Sequence, residues 1–339
     1  MKIKVRRIKE EDIPKLIKFN RRMYRNRDKI EDSISFRILK NPFSKQIFSY
    51  ISYLEDNSII GQIFLMPTQF KFSGEIKNAN WGMDYIVDDE YRGSIAGVQL
   101  CKKALKENLH FGIGLSEVSL KIHLIFNEKI ISKMTKFIKI NNFLSLFQII
   151  TKRTKHIQYT FPEKINAGRT VFQKVKKAEE IISDNGYWNS DEILEFSRNN
   201  DFLKWRFFYY KEKYTVYKMQ FNNENAKSVY FVIRPIVWKG LNGFLIVDYR
   251  NNSTNDFDSI LKAVNKLSRL NNSAVTITGS TLESLNKILK KRWYFPFGQK
   301  REIVTNFKNI FSDYKINSNK VLVTFADSDC DFYYGDNKW

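Results

Sequence analysis

The sequence predicts an α/β protein made of two successive domains of like architecture, each a mixed, mostly antiparallel central sheet flanked by helices. Three observations carry this expectation. The 339 residues exceed one ordinary core and suit two. Hydrophobic residues make up 43% and aromatic residues 15% of a chain that is 27% charged, which supplies a large core and argues against disorder. Apolar residues also recur with periods of two and of about 3.6 in the order β, α, β, β, β, α, β, α, and the same grammar then returns. The expected division is a first domain over 1–150, a crossing region over 151–200 and a second domain over 201–339.

Residues 2–8, KIKVRRI, alternate as a strand does. EEDIPKLIKFNRRMY follows with an acidic start, Pro14 in the first turn, and Ile13, Leu16, Ile17 and Phe19 at helical spacing. Two β-rich runs, QIFSYISYL and SIIGQIFLMPTQFKF, flank the turn-like EDN and so pair as a hairpin. SGEIKNAN reads as a turn before the strand WGMDYIV, and GVQLCKKALKE, 97–107, reads as a helix with Val98, Cys101, Ala104 and Leu105 facing a sheet. HFGIGL is the next strand, and a helix beginning SEVSLKIHLIF closes the first domain. Basic, mixed sequence then weakens the pattern until DFLKWRFFYY, whose cations and aromatics resemble a single-strand nucleic-acid platform but suit better a helix that buries Phe202, Trp205 and Tyr209 with its cations outside. The strands YTVYKMQ, SVYFVIRPIVW and NGFLIVDY, the helix DFDSILKAVNKLSRL, the strand AVTITGS and the helix TLESLNKILKKRW complete the chain. The halves match best where GIGLSEVSLKIHLIF and TITGSTLESLNKILKKRWYF each run strand, small residue, Ser or Thr cap, helix.

The net charge is +21, and such a field concentrates polyanions, anionic lipid surfaces or phosphorylated metabolites without choosing among them. A lysine-rich, asparagine-rich bias over solvated faces gives the same number. The longest apolar run, FLSLFQII at 143–150, falls short of the roughly 20 residues that cross a bilayer, and the charged N-terminus has no apolar core of a signal peptide. A cytoplasmic protein is therefore expected. Cys101 and Cys330 lie far apart, Cys101 within a helical pattern, which favours reduced buried thiols and gives no thiolate metal site. ADSDCD spaces Asp327, Asp329 and Asp331 like the start of a calcium loop but lacks that loop's glycine and distal glutamate, so it reads as an acidic strand end lining an interdomain cleft, and no metal is expected.

The stretch DDEYRGSIAGVQL, 88–100, opens a helix with little side chain. The unpartnered N–H groups of a helix start, with the positive end of the macrodipole behind them, suit a phosphate. With the strand order before it, this stretch resembles the GCN5-related N-acetyltransferase family, whose members run a strand, then V-x-P-E-Y-R-G-x-G-x-G, then a helix. Val87, Glu90, Tyr91, Arg92, Gly93 and Gly97 match; Asp89 stands for the proline and Ile95 for the middle glycine, and a β-branched residue there requires an ordinary helical or extended backbone. The resemblance implies acetyl-CoA as acyl donor, its pantetheine arm along a β-bulged strand at Tyr85, Ile86 and Val87. Its diphosphate would rest on the N–H groups of Gly93, Ser94, Ile95, Ala96 and Gly97, with Arg92 assisting. After FLIVDY the second half has RNNSTNDFDS, without glycine, so that copy is expected to bind no coenzyme. Tandem copies resemble acyltransferases of surface-polysaccharide gene clusters, which implies an amine acceptor on an amino sugar or nucleotide-linked sugar. The arrangement is also similar to Fem-type transferases that use aminoacyl-tRNA. A non-catalytic basic module binding nucleic acid or another anionic partner is the further alternative.

Acyl transfer needs a neutral amine and a proton for the departing thiolate. Laid on the family's N-E-x-A-x-x-L-Y, Ser116, Glu117 and Ser119 match and His123 falls on the tyrosine that serves as general acid, a task an imidazole can perform near neutrality. For a base, Asp84 and Glu117 are the carboxylates nearest the point where two strands would part. Strict alternation puts Trp81, Met83 and Tyr85 on one face and Gly82, Asp84 and Ile86 on the other, so Asp84 sits among small or apolar neighbours as a desolvated base or the partner of a buried arginine.

Overall fold

A computed structural model describes residues 2–24, 30–43, 46–107, 109–142, 158–181, 193–209, 213–220, 228–307, 318–328 and 331. The first half runs β1 (Lys4–Arg7), α1 (Ile13–Met23), α2 (Ile30–Ile34), β2 (Tyr50–Tyr53), β3 (Ile59–Phe72), β4 (Glu75–Val87), α3 (Ile95–Glu107), β5 (His110–Ile113), α4 (Glu117–Ile125) and β6 (Lys129–Ile140). The remainder runs β7 (Lys164–Ala167), β8 (Thr170–Val175), β9 (Leu194–Phe196), α5 (Asn200–Leu203), β10 (Thr215–Met219), β11 (Tyr230–Trp238) and β12 (Leu241–Arg250). It ends with α6 (Thr254–Leu270), β13 (Val275–Ser280), α7 (Glu283–Lys291), β14 (Phe295–Pro296), β15 (Arg301–Thr305) and β16 (Val321–Leu322).

The strands form one continuous mixed, mostly antiparallel sheet in the order β1-β2-β3-β4-β5-β15-β6-β13-β12-β11-β10-β8-β7. Among the described residues parallel pairing is confined to β4 with β5, β12 with β13, and the short β9 with β16. β15, late in the chain, lies between β5 and β6 of the first half, while β6 pairs with β13 of the second. The halves thus exchange one strand each, and the sheet passes through both without an edge between them.

The sequence reading needs several corrections. SGEIKNAN is mostly strand, because Ser73 and Gly74 alone close the β3–β4 turn and β4 starts at Glu75. β6 was not anticipated, and β7, β8 and β9 stand within the stretch read as a crossing region. The buried face of α3 is Ala96, Leu100, Cys101 and Ala104, with Val98 exposed. α5 continues into a π-helical turn over Lys204–Phe208 in which Phe202 and Trp205 are buried as expected, but Tyr209 is exposed and Arg206 is buried. Arg206 can be inside because Asp331 Oδ1 lies 2.5 Å from its Nη2 and Tyr214 accepts a further bond at 3.0 Å. Trp205 stacks on Phe36 with ring centroids 4.8 Å apart and donates Nε1–H to the Phe36 carbonyl, tying this turn to the π-helical turn Ser35–Leu39 that follows α2. FLSLFQII, Asp329 and Cys330 lie outside the described residues.

Candidate active site

β4 and β5 are hydrogen-bonded only where Asn80, Trp81 and Gly82 face His110, Phe111 and Gly112. Past Gly82 the strands part, and the register between β3 and β4 shifts so that Phe64 faces Met83 whereas Gln62 faces Ile86. Asp84 lies in this bulge with φ +44°. An extra residue resets which way side chains point: Trp81, Met83 and Ile86 pack with one core, and Tyr85 and Val87 pack with Leu100 and Ala104 of α3. Strict alternation, which grouped Tyr85 with Met83 and Ile86 with Asp84, fails here for that reason.

On the α3 side of β4, Tyr85, Ile86, Val87, Arg92, Gly93, Ser94 and Gly97 form one wall of a groove of about 680 Å³, and Val118, Ser119 and Ile122 of α4 form the other. Asp88 caps the turn before it, accepting from Glu90 N–H at 3.3 Å, and Arg92 pairs with Asp89 at 2.6 Å on the surface. Gly93 has φ +85°, a conformation other residues take at a cost. Gly97 serves a different need: a Cβ there would lie 3.0 Å from Tyr85 Oη, so its absence lets the helix approach the strand closely. Ile95 and Ala96 are not in the groove wall; Ile95 starts the helix outward-facing and Ala96 is buried beneath it. The Ala96 amide is capped by Ser94 Oγ at 3.3 Å.

Between the parted strands lies a second space of about 360 Å³, bounded by Tyr24, Asp84, Tyr85, His110, His123 and Arg301 among others, and sharing Tyr85, Ser116 and Ser119 with the groove. The Asp84 side chain is buried, with Oδ2 2.7 Å from Arg37 Nη1 and Oδ1 accepting from the Tyr24 hydroxyl at 3.1 Å. His123 is also buried, its Nδ1 2.6 Å from Glu128 Oε2, and His110 Nδ1 lies 2.7 Å from Glu128 Oε1. Burial pushes the Glu128 carboxyl up, but attraction to His110 and the two imidazole hydrogen bonds outweigh it and hold it at about 2. Neither Nε2 has a hydrogen-bond partner. Gly82 makes room for this arrangement, since a Cβ there would fall 2.3 Å from His110 Nε2.

His110, His123 and Glu128 bring ligand-type atoms within 4.8 Å of one another. A metal does not fit them well. A metal held by Glu128 and the two Nδ1 atoms would leave each ring's Nε2–H to donate, and both Nε2 atoms are buried with no partner. Of the residues expected from the sequence, the structure brings Asp84 and His123 to one cavity and leaves Glu117 out of it, 82% exposed and paired with Lys121 at 3.0 Å. Glu128, His110, Tyr24, Arg37 and Arg301 were missed. Glu128 had one signal, a lone carboxylate in FNEKII just past the helix that carries His123. Arg301 had none, because β15 reaches the site from the other half.

The second half has the same parallel pair, but its gap is filled. β12 and β13 pair over Gly243–Leu245, and beyond this the Ala326 amide donates to the Val247 carbonyl at 3.1 Å. A Cβ on Gly279 would meet Phe325 Cζ at 2.8 Å and Met134 Sδ at 2.9 Å. Asp327 and Asp331 do not line an open cleft: Asp327 Oδ1 is 2.6 Å from Arg198 Nη2, all buried, and Asp331 is bound to Arg206. Cys101 is a buried free thiol that burial pushes far up.

No protein-family model and no curated protein matches the sequence. Solved structures do match the fold. A conserved protein of unknown function from Enterococcus faecalis V583, described as a probable N-acyltransferase, superposes with TM-score 0.62 at 12% identity over 90% of this chain and 72% of that one. A GCN5-related N-acetyltransferase from Anabaena variabilis ATCC 29413 gives TM-score 0.62 at 12% identity, covering 93% and 75%. Saccharomyces cerevisiae N-myristoyltransferase with bound myristoyl-CoA gives 0.59 at 10% identity, covering 89% and 78%. The chain therefore has the fold shared by GCN5-related N-acetyltransferases and N-myristoyltransferases. Among the described residues no helix is long and apolar enough to cross a membrane.

Proposed function

We propose that the chain is an acyl-CoA-dependent N-acyltransferase whose donor lies in the groove and whose acceptor amine enters the cavity between β4 and β5. The observation that carries this reading is that the two spaces adjoin, sharing Tyr85, Ser116 and Ser119 in their walls, so that a thioester would lie at their boundary while the rest of the coenzyme stays in the groove. The diphosphate rests in the groove at Gly93 and Gly97, with Arg92 beside it, where the dipole of α3 favours an anion; the Ser94 and Ala96 amides are already bonded, to the Tyr91 carbonyl and to Ser94 Oγ. Pantetheine follows Tyr85–Val87. In the transfer, the amine nitrogen bonds to the thioester carbonyl carbon and the carbon–sulfur bond breaks. Of the two protons that the ammonium nitrogen sheds, one passes to His123 before attack and the second goes to the departing thiolate. Asp84, fixed by Arg37 and Tyr24, supplies negative charge for an ammonium arriving in the cavity.

The first 150 residues act as the coenzyme-binding unit, and residues from 201 onward as a degenerate copy that braces it. Acetyl-CoA is the donor, and an amine on a sugar, free or nucleotide-linked, is the acceptor class that the family resemblance favours. Calorimetric titration with acetyl-CoA, CoA and bulk tRNA tests the reading. Acetyl-CoA and CoA should bind with similar affinity, and any tRNA binding should fall steeply with salt. Binding of tRNA without CoA would support a Fem-like transferase instead, and binding of neither would remove the enzyme.

A further inference from the structure

We infer that Glu128 is a positioning residue that locks both histidines of the site as Nδ1–H forms, leaving the Nε2 of His123 a lone pair that an N–H or O–H group of a bound acceptor can meet. What the lone pair does rests on the acyltransferase reading; how it is set up does not. The argument starts from the two contacts of 2.6 and 2.7 Å to the two oxygens of one carboxylate. An ionised carboxylate only accepts hydrogen bonds, so Nδ1 carries the hydrogen on each ring. The neutral ring then has its acceptor at Nε2. For His110 that atom lies against Gly82, where the missing Cβ leaves just enough space. His123 is different: its ring is in the cavity wall, its edge meets Tyr85 with centroids 6.2 Å apart, and its Nε2 is buried without a partner. A buried polar atom left unmade is costly unless a ligand completes it. The group that fits is a donor, which an amine is and a carboxylate or thioester is not.

The test is a two-bond 1H–15N correlation spectrum of the whole protein with 15N-labelled histidine, recorded at neutral pH without coenzyme. The chain has three histidines, so replacing each in turn assigns the signals. His110 and His123 should both show the Nδ1–H pattern. In Glu128→Gln the amide has one accepting oxygen and one donating nitrogen, so one of the two rings should switch to the Nε2–H pattern while the other keeps its own; a purely structural role would move neither. Wild-type signals of the Nε2–H type, or an unaltered pair in the variant, would overturn the inference. So would loss of both patterns on adding Zn²⁺, which would make the cluster a metal site. The wild-type spectrum decides even if the variant does not fold. Because no substrate is present, a positive result stands if the acyltransferase reading fails.

Discussion

Replacing Gly93 with alanine separates a coenzyme cradle from a plain turn. A Cβ at Gly93 would have nothing within 4 Å, so crowding contributes nothing, and the cost lies in the φ of +85°. For alanine that conformation costs about 1–2 kcal/mol. The free variant relaxes away from it, and binding a diphosphate on the present loop geometry must restore it, so the affinity loss is bounded by the strain. At about 1.4 kcal/mol per factor of ten, acetyl-CoA should bind roughly 5- to 30-fold more weakly. Gly97→Ala should behave differently. Alanine gains about 0.5–1 kcal/mol over glycine in a helix, but its Cβ stands 3.0 Å from Tyr85 Oη, so Tyr85 must give way by a few tenths of an ångström. Thermal stability should hardly change while coenzyme binding suffers, because Tyr85 lines both groove and cavity. Calorimetry with acetyl-CoA and a thermal melt on each variant measure both quantities. Unchanged affinity in Gly93→Ala would refute the cradle, and a loss beyond about 100-fold would show that strain alone is the wrong account.

Three further outcomes follow. The folded Glu128 carboxyl titrates at about 2 against 4.5 in the unfolded chain; a depressed value stabilises above the unfolded pKa and is lost as pH falls towards the folded one. Urea unfolding of the wild type and Glu128→Gln should therefore show the wild type's advantage shrinking by about 2 kcal/mol between pH 6 and pH 3, and a constant gap would contradict it. Asp84→Asn leaves Arg37 buried with its ion pair broken, at a cost of about 3–5 kcal/mol in denaturant midpoint analysis, and Asp84→Asn with Arg37→Met, which keeps a residue that tolerates φ +44°, should recover much of this; a single variant costing under about 1 kcal/mol would show the pair to be incidental. Residues 1–142 expressed alone leave β5 without β15 and β6 without β15 or β13, so the fragment should aggregate, and a soluble monomer that unfolds cooperatively would show the strand exchange to be dispensable.

Much of the fold was legible because periodicity is local. Leu16 and Phe19 are buried as their spacing in α1 requires, and Ile260, Val264 and Leu267 do the same for α6. What was illegible depends on distant partners. KIISKMTKFIKI alternates well enough for a strand, but β6 is held by β15 and β13, and nothing near residue 130 announces them. Arg206 reads as a surface cation unless Asp331, 125 residues away, is known to meet it. The bulge on β4 was expected through the family resemblance alone; that its extra residue falls at Asp84, and so decides which side of β4 carries Tyr85, has no local signature. The candidate site divides along the same line: the glycine loop and His123 were visible, whereas Glu128, His110 and Arg301 acquire meaning only from what they touch.

The two halves contain the same device with opposite fates, and the comparison bears on what the second half is for. A parallel pair that parts leaves strand backbone unsatisfied, and something must meet it. In the second half the chain itself does so, with the Ala326 amide on Val247 and Phe325 and Met134 packed at Gly279. In the first half the corresponding gap is open, its wall mixing apolar side chains such as Ile63 and Met83 with polar ones, and one of the polar ones, Arg301, is delivered by the second half on the exchanged strand. The filled copy therefore has a use that does not need chemistry of its own. It closes the sheet beside β5 and sets a guanidinium in the wall of the other copy's cavity, so the cavity belongs to the whole chain and not to its first 150 residues alone.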